Sequence, residues 1–440
     1  MRDIVIFLII FGTIPFVLKR PAVGVLVFAW ISIMNPHRLT YGMARDFPFA
    51  AVIAVLTIVS LLFTKEKRKY VWTPASILLL ALALWMTFTT VLALLPVRAW
   101  DEWSRVFKTL LMVALTIVAI NEKKDLQTLV WVLGLSLGFY GLKGGLFSLA
   151  TGGSYRVWGP DSSYIGENNA LAVALVMTVP ILWYLRNQTP HKMWRRALTF
   201  ITLMSIVSAA GSYSRGALLA AAAMLSMLWL KSTSKLATGF GLLLVVPIVY
   251  LGMPDQWRTR MSSISDYQSD GSSLGRINAW HFAVEVANRF FTGGGFNVFD
   301  PTMFLLYAPN PTDFHVSHSI YFQVLGEHGY VGLILYLCFI AATWHTARSI
   351  MRACKQRPDL AWAKDLARAC QVSMVGFLVG GAFLSLAYYD YFYYLMAVLM
   401  IMKKLVAQEV KVVPAMAMNM EPLGSRQAVK YRLRSRKTLS

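Results

Sequence analysis

The sequence predicts an all-α polytopic membrane protein, and three observations predict it. Hydrophobic residues fill 57% of 440 positions, with a mean hydropathy of +0.55. Charged residues make up 14%, where a soluble globular chain carries roughly a quarter. The apolar residues gather into stretches near the ~20 residues a helix needs to span a bilayer, and clustered cations mark alternate connections between them, as the positive-inside rule requires. Length alone would allow two or three soluble domains, but this composition argues against them. The net charge of +21 suggests nucleic acid at first sight. Its placement beside apolar segments assigns it instead to topology and to contact with anionic membrane lipid, so no nucleic-acid partner is expected.

Apolar segments run at 4–18, 21–34, 47–63, 73–95, 106–120, 126–148, 168–185, 197–210, 216–230, 236–252, 328–347, 370–387 and 388–402. The first lacks a small-residue cleavage site and runs into Lys19-Arg20-Pro21, so it reads as a mature membrane segment and not a signal peptide. The pair 4–18 and 21–34 is short for two spans, and a re-entrant or interfacial reading stays open for one of them. The expected count is therefore about 12 transmembrane helices, 12 or 13. Basic loops at Lys65 to Lys69, Lys123-Lys124, Arg186 to Arg196, Lys231 to Lys235 and Arg348 to Arg368 fall on one side if each segment from 47 onward crosses once. That side is cytoplasmic.

The other side carries connections 35–46, 96–105, 149–167, 211–215 and, by far the longest, 253–327. Long connections in a tight bundle are usually functional or disordered, and the Trp, Phe, Tyr and Gly content of this one argues against disorder. Leu274, Ile277, Trp280, Val284, Ala287 and Phe291 recur at helical spacing, predicting an amphipathic helix at the outer membrane surface, with Ser273 as a candidate cap. The expected organisation is a transmembrane bundle over 1–252, a long helical periplasmic loop over 253–327, C-terminal transmembrane helices over 328–402, and a disordered basic cytoplasmic tail over 403–440. Cys338, Cys354 and Cys370 lie outside the long loop, so neither a structural disulfide nor a metal-ligand spacing is expected.

Candidate chemistry clusters on the outer side. In Gly211-Ser212-Tyr213-Ser214-Arg215-Gly216, an arginine at a turn between apolar segments is costly unless it meets water, protein or an anion. The plain alternative is a side chain snorkelling at a helix end. Arg276, in Gly275-Arg276-Ile277-Asn278-Ala279-Trp280, falls in the predicted first turn of the amphipathic helix, where backbone N–H groups also favour anions. The planar fork of its guanidinium suits phosphate. Arg289 has an easier structural explanation, since Glu285 precedes it by the four residues of a favourable helical ion pair. His315, His318 and His328 crowd the loop's return beside Tyr321 and Glu327. A histidine there can act as a base or be structural. A metal reading is also open, although the spacing matches no zinc pattern. A Gly-rich polar stretch holding Gly144-Gly145, Gly152-Gly153, Arg156, Gly159-Pro160 and Gly166-Glu167-Asn168-Asn169 adds Lys143 and Arg156 to the same outer face. Such a surface suits a diphosphate joined to a lipid and a sugar.

These residues resemble the O-antigen ligase and polymerase superfamily over most of the chain. The resemblance is carried by Ser214-Arg215-Gly216, the Gly-Arg…Trp element at 275–280, Gly293-Gly294-Gly295-Phe296, the His-Ser…Tyr…Gly-Glu-x-Gly run at 318–329, and Gly166-Glu167-Asn168-Asn169-Ala170-Leu171-Ala172. Asn35-Pro36-His37-Arg38 and Arg156-Val157-Trp158-Gly159-Pro160 look like a subgroup of O-glycosylation ligases from exosortase-associated gene clusters. The resemblance implies a C-type glycosyltransferase-like fold in the inner membrane that takes a glycan from undecaprenyl diphosphate on the periplasmic leaflet and passes it to a sugar of the lipid A core. It implies neither metal nor nucleotide cofactor. It implies His318 as the residue activating the acceptor, Arg215 and Arg276 as holders of the diphosphate, and substrate contacts from Arg156, Lys143, Arg289, Tyr321, Glu327, Asn168 and Asn169. One departure is Ser319, where the family often has Asn. Two related readings share the donor: a polysaccharide polymerase and a protein O-oligosaccharyltransferase. A transporter is disfavoured, because ionisable residues sit mainly at segment ends.

Overall fold

The computed structural model describes residues 2–64, 70–232, 234–236, 239, 252–262 and 271–419. Of the expectations above, the basic loop at Lys65 to Lys69, most of the apolar segment 236–252 and the tail from residue 420 lie outside the described residues. The fold is all-helical, 78% helix without strand among the described residues. In chain order the helices are α1 (Arg2–Gly12), α2 (Ile14–Lys19), α3 (Pro21–Met34), α4 (Phe49–Phe63), α5 (Pro74–Val91), α6 (Pro96–Ala119), α7 (Lys123–Ala150), α8 (Asn168–Gln188), α9 (Lys192–Ala210) and α10 (Arg215–Lys231). After these come α11 (Asp255–Ser262), α12 (Gly271–Arg289), α13 (Pro301–Tyr307), α14 (Ile320–Ala353), α15 (Ala361–Gly380) and α16 (Asp390–Asn419). By length and composition, five helical stretches among the described residues can cross a membrane: α5, α7, α8, α14 and the run Pro358–Phe383 around α15. The protein is thus a multi-pass membrane protein.

The connections sort to two ends of one bundle. At the basic end Arg20 pairs with Asp125 at 3.2 Å, Ser60 Oγ donates to Leu18 O at 3.1 Å, and Lys123 Nζ lies 4.5 Å over the Trp362 ring. At the opposite end Ala44 N–H donates to Asp3 Oδ1, Leu94 N–H to Gly294 O, Arg98 pairs with Asp300, and Val157 N–H donates to Gly211 O. The first two apolar segments therefore both run from end to end. Between α1 and α2 the helix breaks at Thr13, where Pro15, in the first turn of α2, cannot supply an N–H to continue the ladder.

Several expectations are corrected. The connection 96–105 is helical, because Pro96 at the first helical position opens α6. Gly144 and Gly145 belong to α7, not to a polar loop. With Gly138 and Gly141 they let α9 approach so closely that an added Cβ would meet Ile201, Ser205, Ser208 or Met204, the small-residue contact of packed membrane helices. In α12 the buried face is Ala279, Phe282, Ala283 and Val286, whereas Leu274 and Phe291 are exposed. Of the predicted stripe, Ala287 is buried and Trp280 stacks on Phe322 of α14, while the small side chain of Ala283 lies against Gly326 of α14. Ser273 sits inside α12, past its first residues, and not at the cap position expected for it. The last helix runs to Asn419, through the first part of the expected tail, and Tyr391 to Met402 are fully buried on every side.

The element that places the long loop is a break in α14. Gly329 takes φ 65°, ψ −172°, which only glycine adopts readily. The turn Gly293–Gly295 docks on that break: Gly294 N–H donates to Gly326 O and Gly295 N–H to Glu327 O, both at 2.8 Å. Trp85 Nε1–H donates to His328 O at 2.9 Å. The carbonyls of Gly326, Glu327 and His328 at the break are thereby bonded, as an apolar surrounding demands. A Cβ on Gly329 would stand 2.4 Å from Phe291 O. Gly329→Ala should cost on the order of 2–4 kcal/mol of stability, read as a lowered melting temperature of the purified protein. Gly12→Ala, with nothing within 4 Å, should stay within about 0.5 kcal/mol.

Candidate anion-binding site

At the end of the bundle opposite the basic loops lies a cleft lined by Asn169, Ser214, Arg215, Gly216, Arg260, Arg276, Phe383 and Leu384. It is built on a strained turn. Tyr213 takes a left-handed φ of 58°, at a cost of about 1–3 kcal/mol, and its surroundings hold it there. The Tyr213 hydroxyl donates to Gly153 O at 2.7 Å, Trp257 Nε1–H to Ala210 O at 3.0 Å, and Arg260 Nε–H to Tyr213 O at 3.1 Å. Tyr213, Trp257 and Met261 pack together as a small apolar cluster. The turn delivers Ser214 as the N-cap of α10, its hydroxyl accepting from Ala217 N–H at 3.2 Å. Arg215 then opens the helix, so the positive end of the α10 dipole faces the cleft with it.

Asn168 and Asn169, adjacent at the start of α8, divide the work. Asn168 is buried and its Nδ2 donates to Ser212 O at 2.7 Å, bracing the turn, while Asn169 lines the cleft. Arg276 comes from the second turn of α12, not the first, so no helix terminus assists it. Gly275 beside it allows His315 to lie on the helix, since a Cβ there would be 2.3 Å from the imidazole. His315 Nδ1 sits 3.1 Å from Asp313 Oδ1.

His318 adjoins the cleft without lining it. Its backbone is left-handed, φ 42°, and its N–H donates to Ser385 Oγ at 2.9 Å, next to the cleft residue Leu384. Trp280 Nε1–H donates to Ser317 O at 2.9 Å and its ring stacks on Phe322 at 5.0 Å, fixing α12 against the start of α14. Ser319 is buried at the N-cap position of α14 without a side-chain capping bond. Burial first, then the positive charge of Arg276 and the neighbouring His315, hold the His318 imidazole down to about 4. It is neutral at neutral pH and able to accept a proton. Because the folded value lies below the ordinary 6.5, the unfolded chain takes up this proton first as pH falls. Stability is therefore lost between about 6.5 and 4 and unaffected by this group above that window.

The other expected site residues lie elsewhere. Glu327 is buried, accepting from Asn297 N–H at 3.1 Å and from the Tyr388 hydroxyl. It braces the break in α14. Tyr321 donates its hydroxyl to Leu378 O at 3.0 Å, tying α14 to α15. Arg289 pairs with Glu285 at 2.7 Å, the easier explanation given above. Lys143 and Arg156 are exposed and do not line the cleft. The sequence reading missed Arg260, Phe383 and Leu384. Only the i, i+4 pair Trp257 and Met261 hinted that Arg260 faces elsewhere than Arg258, which pairs with Asp255.

The fold and site define a multi-pass helical membrane protein with an arginine-lined cleft at one end of its bundle. Residues 200–337, which hold Arg215, Arg260, Arg276 and His318, match the O-antigen ligase family, and residues 1–190 match a family of unknown function (DUF5935). The first of these matches supports a likeness, over that region, to the O-antigen ligase superfamily of glycosyltransferase-like membrane enzymes. No curated protein matches the chain. The cleft crosses both matched regions, since Asn169 lies in one and the arginines in the other.

Charge-assisted hydrogen bonds contribute about 1.5–3 kcal/mol each. Arg260→Ala should therefore weaken binding of an isoprenyl diphosphate by about 10- to 100-fold, as Arg215→Ala and Arg276→Ala should. Arg→Lys should recover only part of it, because the bidentate fork is lost. Fluorescence titration of the purified variants provides the measurement, and unchanged affinity in all three Ala variants would remove the clamp.

Proposed function

We propose that the protein is an O-antigen ligase: it takes a glycan from undecaprenyl diphosphate and joins it to a sugar of the lipid A core at the periplasmic face of the inner membrane. The observation that carries this reading is the convergence of Arg215, Arg260 and Arg276 in one cleft beside a neutral His318. The positive-inside rule supports the orientation, since the cleft lies opposite the basic loops, and about twelve spans fit the alternation of the two ends. The arrangement fits a C-type glycosyltransferase.

The chemistry follows from the charges. As the glycosidic bond breaks, negative charge grows on the departing lipid diphosphate. Guanidinium groups already in place stabilise that charge more in the transition state than in the ground state. His318 takes the proton of the acceptor hydroxyl, and attack from the face opposite the leaving group inverts the anomeric centre. The energy resides in the donor's phosphoester bond, so no step calls for ATP. A diphosphate beside Arg276 offsets the charge that disfavours imidazolium, so donor binding strengthens the base.

The reading is tested on the lipopolysaccharide of a deletion strain. Loss of the long-glycan ladder, with intact core and accumulated lipid-linked glycan, is the expected result. Short single-repeat products would point to a polymerase, and an unchanged ladder with loss of glycoprotein to a protein acceptor. With purified enzyme, His318→Ala should lower transfer by about 10²- to 10⁴-fold, and His318→Gln should not restore it. The acid limb of kcat/KM for the donor should fall near pH 4, the value in the free enzyme, and that of kcat at higher pH. Coincident limbs, or robust turnover by the Gln variant, would take His318 out of the base role.

A further inference from the structure

α10, α14 and α15, whose other ends lie at or beside the cleft, meet again at the basic end. α10 ends in Lys231, whose Nζ donates to Gln371 Oε1 of α15 at 2.8 Å and lies 5.6 Å over the Trp344 ring of α14. Arg368 of α15 and Arg348 of α14 are the like charges that bear on it. Helical spacing explains the meeting. Arg368, Gln371, Val375 and Leu378 share one face of α15, and Leu337, Ile340, Trp344 and Arg348 share one face of α14. Between the faces runs an apolar groove lined by Leu337, Ile340, Trp344, Val375 and Leu378, among others. From Arg348 to Leu337 it covers eleven residues, about 16 Å, half of a ~30 Å hydrocarbon core. Arg348 and Arg368 make no ion pair or side-chain hydrogen bond among the described residues, and Asp365, one turn from Arg368, joins no ion pair there.

We propose that this groove is a binding site for an anionic phospholipid of the leaflet at the basic end, with one acyl chain between α14 and α15 and the headgroup phosphate among Lys231, Arg348 and Arg368. The groove offers hydrocarbon contact for the depth of one leaflet, and its mouth presents three cations where headgroups lie. Trp344 stands at that mouth, where an amphipathic ring favours the interface. A phosphate there relieves the mutual repulsion of the three cations. A neutral headgroup lacks the net charge to do so, which is why the occupant is an anionic lipid. The inference is independent of the reaction at the cleft.

The test uses the full chain, purified in neutral detergent and stripped of lipid. Phosphatidylglycerol should raise the melting temperature by several degrees and appear as one retained lipid in native mass spectrometry. Phosphatidylcholine with the same chains, and inorganic phosphate alone, should do neither. The double variant R348Q/R368Q should bind phosphatidylglycerol about tenfold or more weakly while melting near the wild type without lipid. If the double variant does not fold, R368Q alone should show the weaker binding. Equal stabilisation by phosphatidylcholine, a shift produced by phosphate alone, unchanged affinity in the variants, or competitive displacement of the lipid by an isoprenyl diphosphate would each overturn the proposal.

Discussion

A helix broken inside an apolar bundle exposes carbonyls that no water can reach, and bonding them is the constraint on which the outer half of this protein depends. The break at Gly329 is met by two backbone N–H groups from Gly294 and Gly295 and one indole from Trp85. Those bonds fix where the long connection lands. The Glu327 carboxylate, held by Asn297 N–H and Tyr388, fastens the same junction from the other side. Once the 293–297 turn is seated, α12 must lie against α14, and Arg276 and His318 arrive at the same place from different parts of the chain.

The segment after α15 joins these parts. Phe383 and Leu384 wall the cleft, Ser385 holds the His318 backbone, Ala387 N–H donates to Gln323 Oε1, and Tyr388 meets Glu327. Six residues of chain thus touch the anion site, the candidate base and the brace of the broken helix. Their geometry cannot vary independently, so a displacement of this connector moves all three.

Much of the fold was legible because membrane helices announce themselves by length and hydropathy, and because clustered cations mark alternate ends. Arg215 and Arg276 were legible as candidate site residues because an arginine beside glycine or serine on the outer side is costly unless it meets water, protein or an anion. Arg260 was not, since the one pair Trp257 and Met261 is a faint signal on so short a helix, and its position comes from an indole bond between Trp257 and Ala210 O. Glu327 looked functional because it stands beside the three histidines at the loop's return and within the run at 318–329 that carries the resemblance. Its role as a brace appears only when Asn297, thirty residues away, is seen folded back on it. The amphipathic stripe of α12 was legible only in part: Trp280 and Ala287 pack inward, but large residues dominate a pattern, and it gave no weight to the buried Ala279 and Ala283.

The fully buried stretch of α16, Tyr391 to Met402, has a consequence for biogenesis. Helices inserted one after another by a ribosome-coupled machinery normally meet lipid first and partners later. This one has no lipid-facing side in the finished bundle, yet it follows every other described helix in synthesis. Until it is delivered, α3, α6, α7, α14 and α15 surround a space that lipid or detergent must fill. The bundle must therefore stay open along one seam during translation and close behind its final core helix. Quality control that samples loosely packed membrane proteins would find this chain vulnerable for nearly the whole of its synthesis, and protected only when its last core helix is in place.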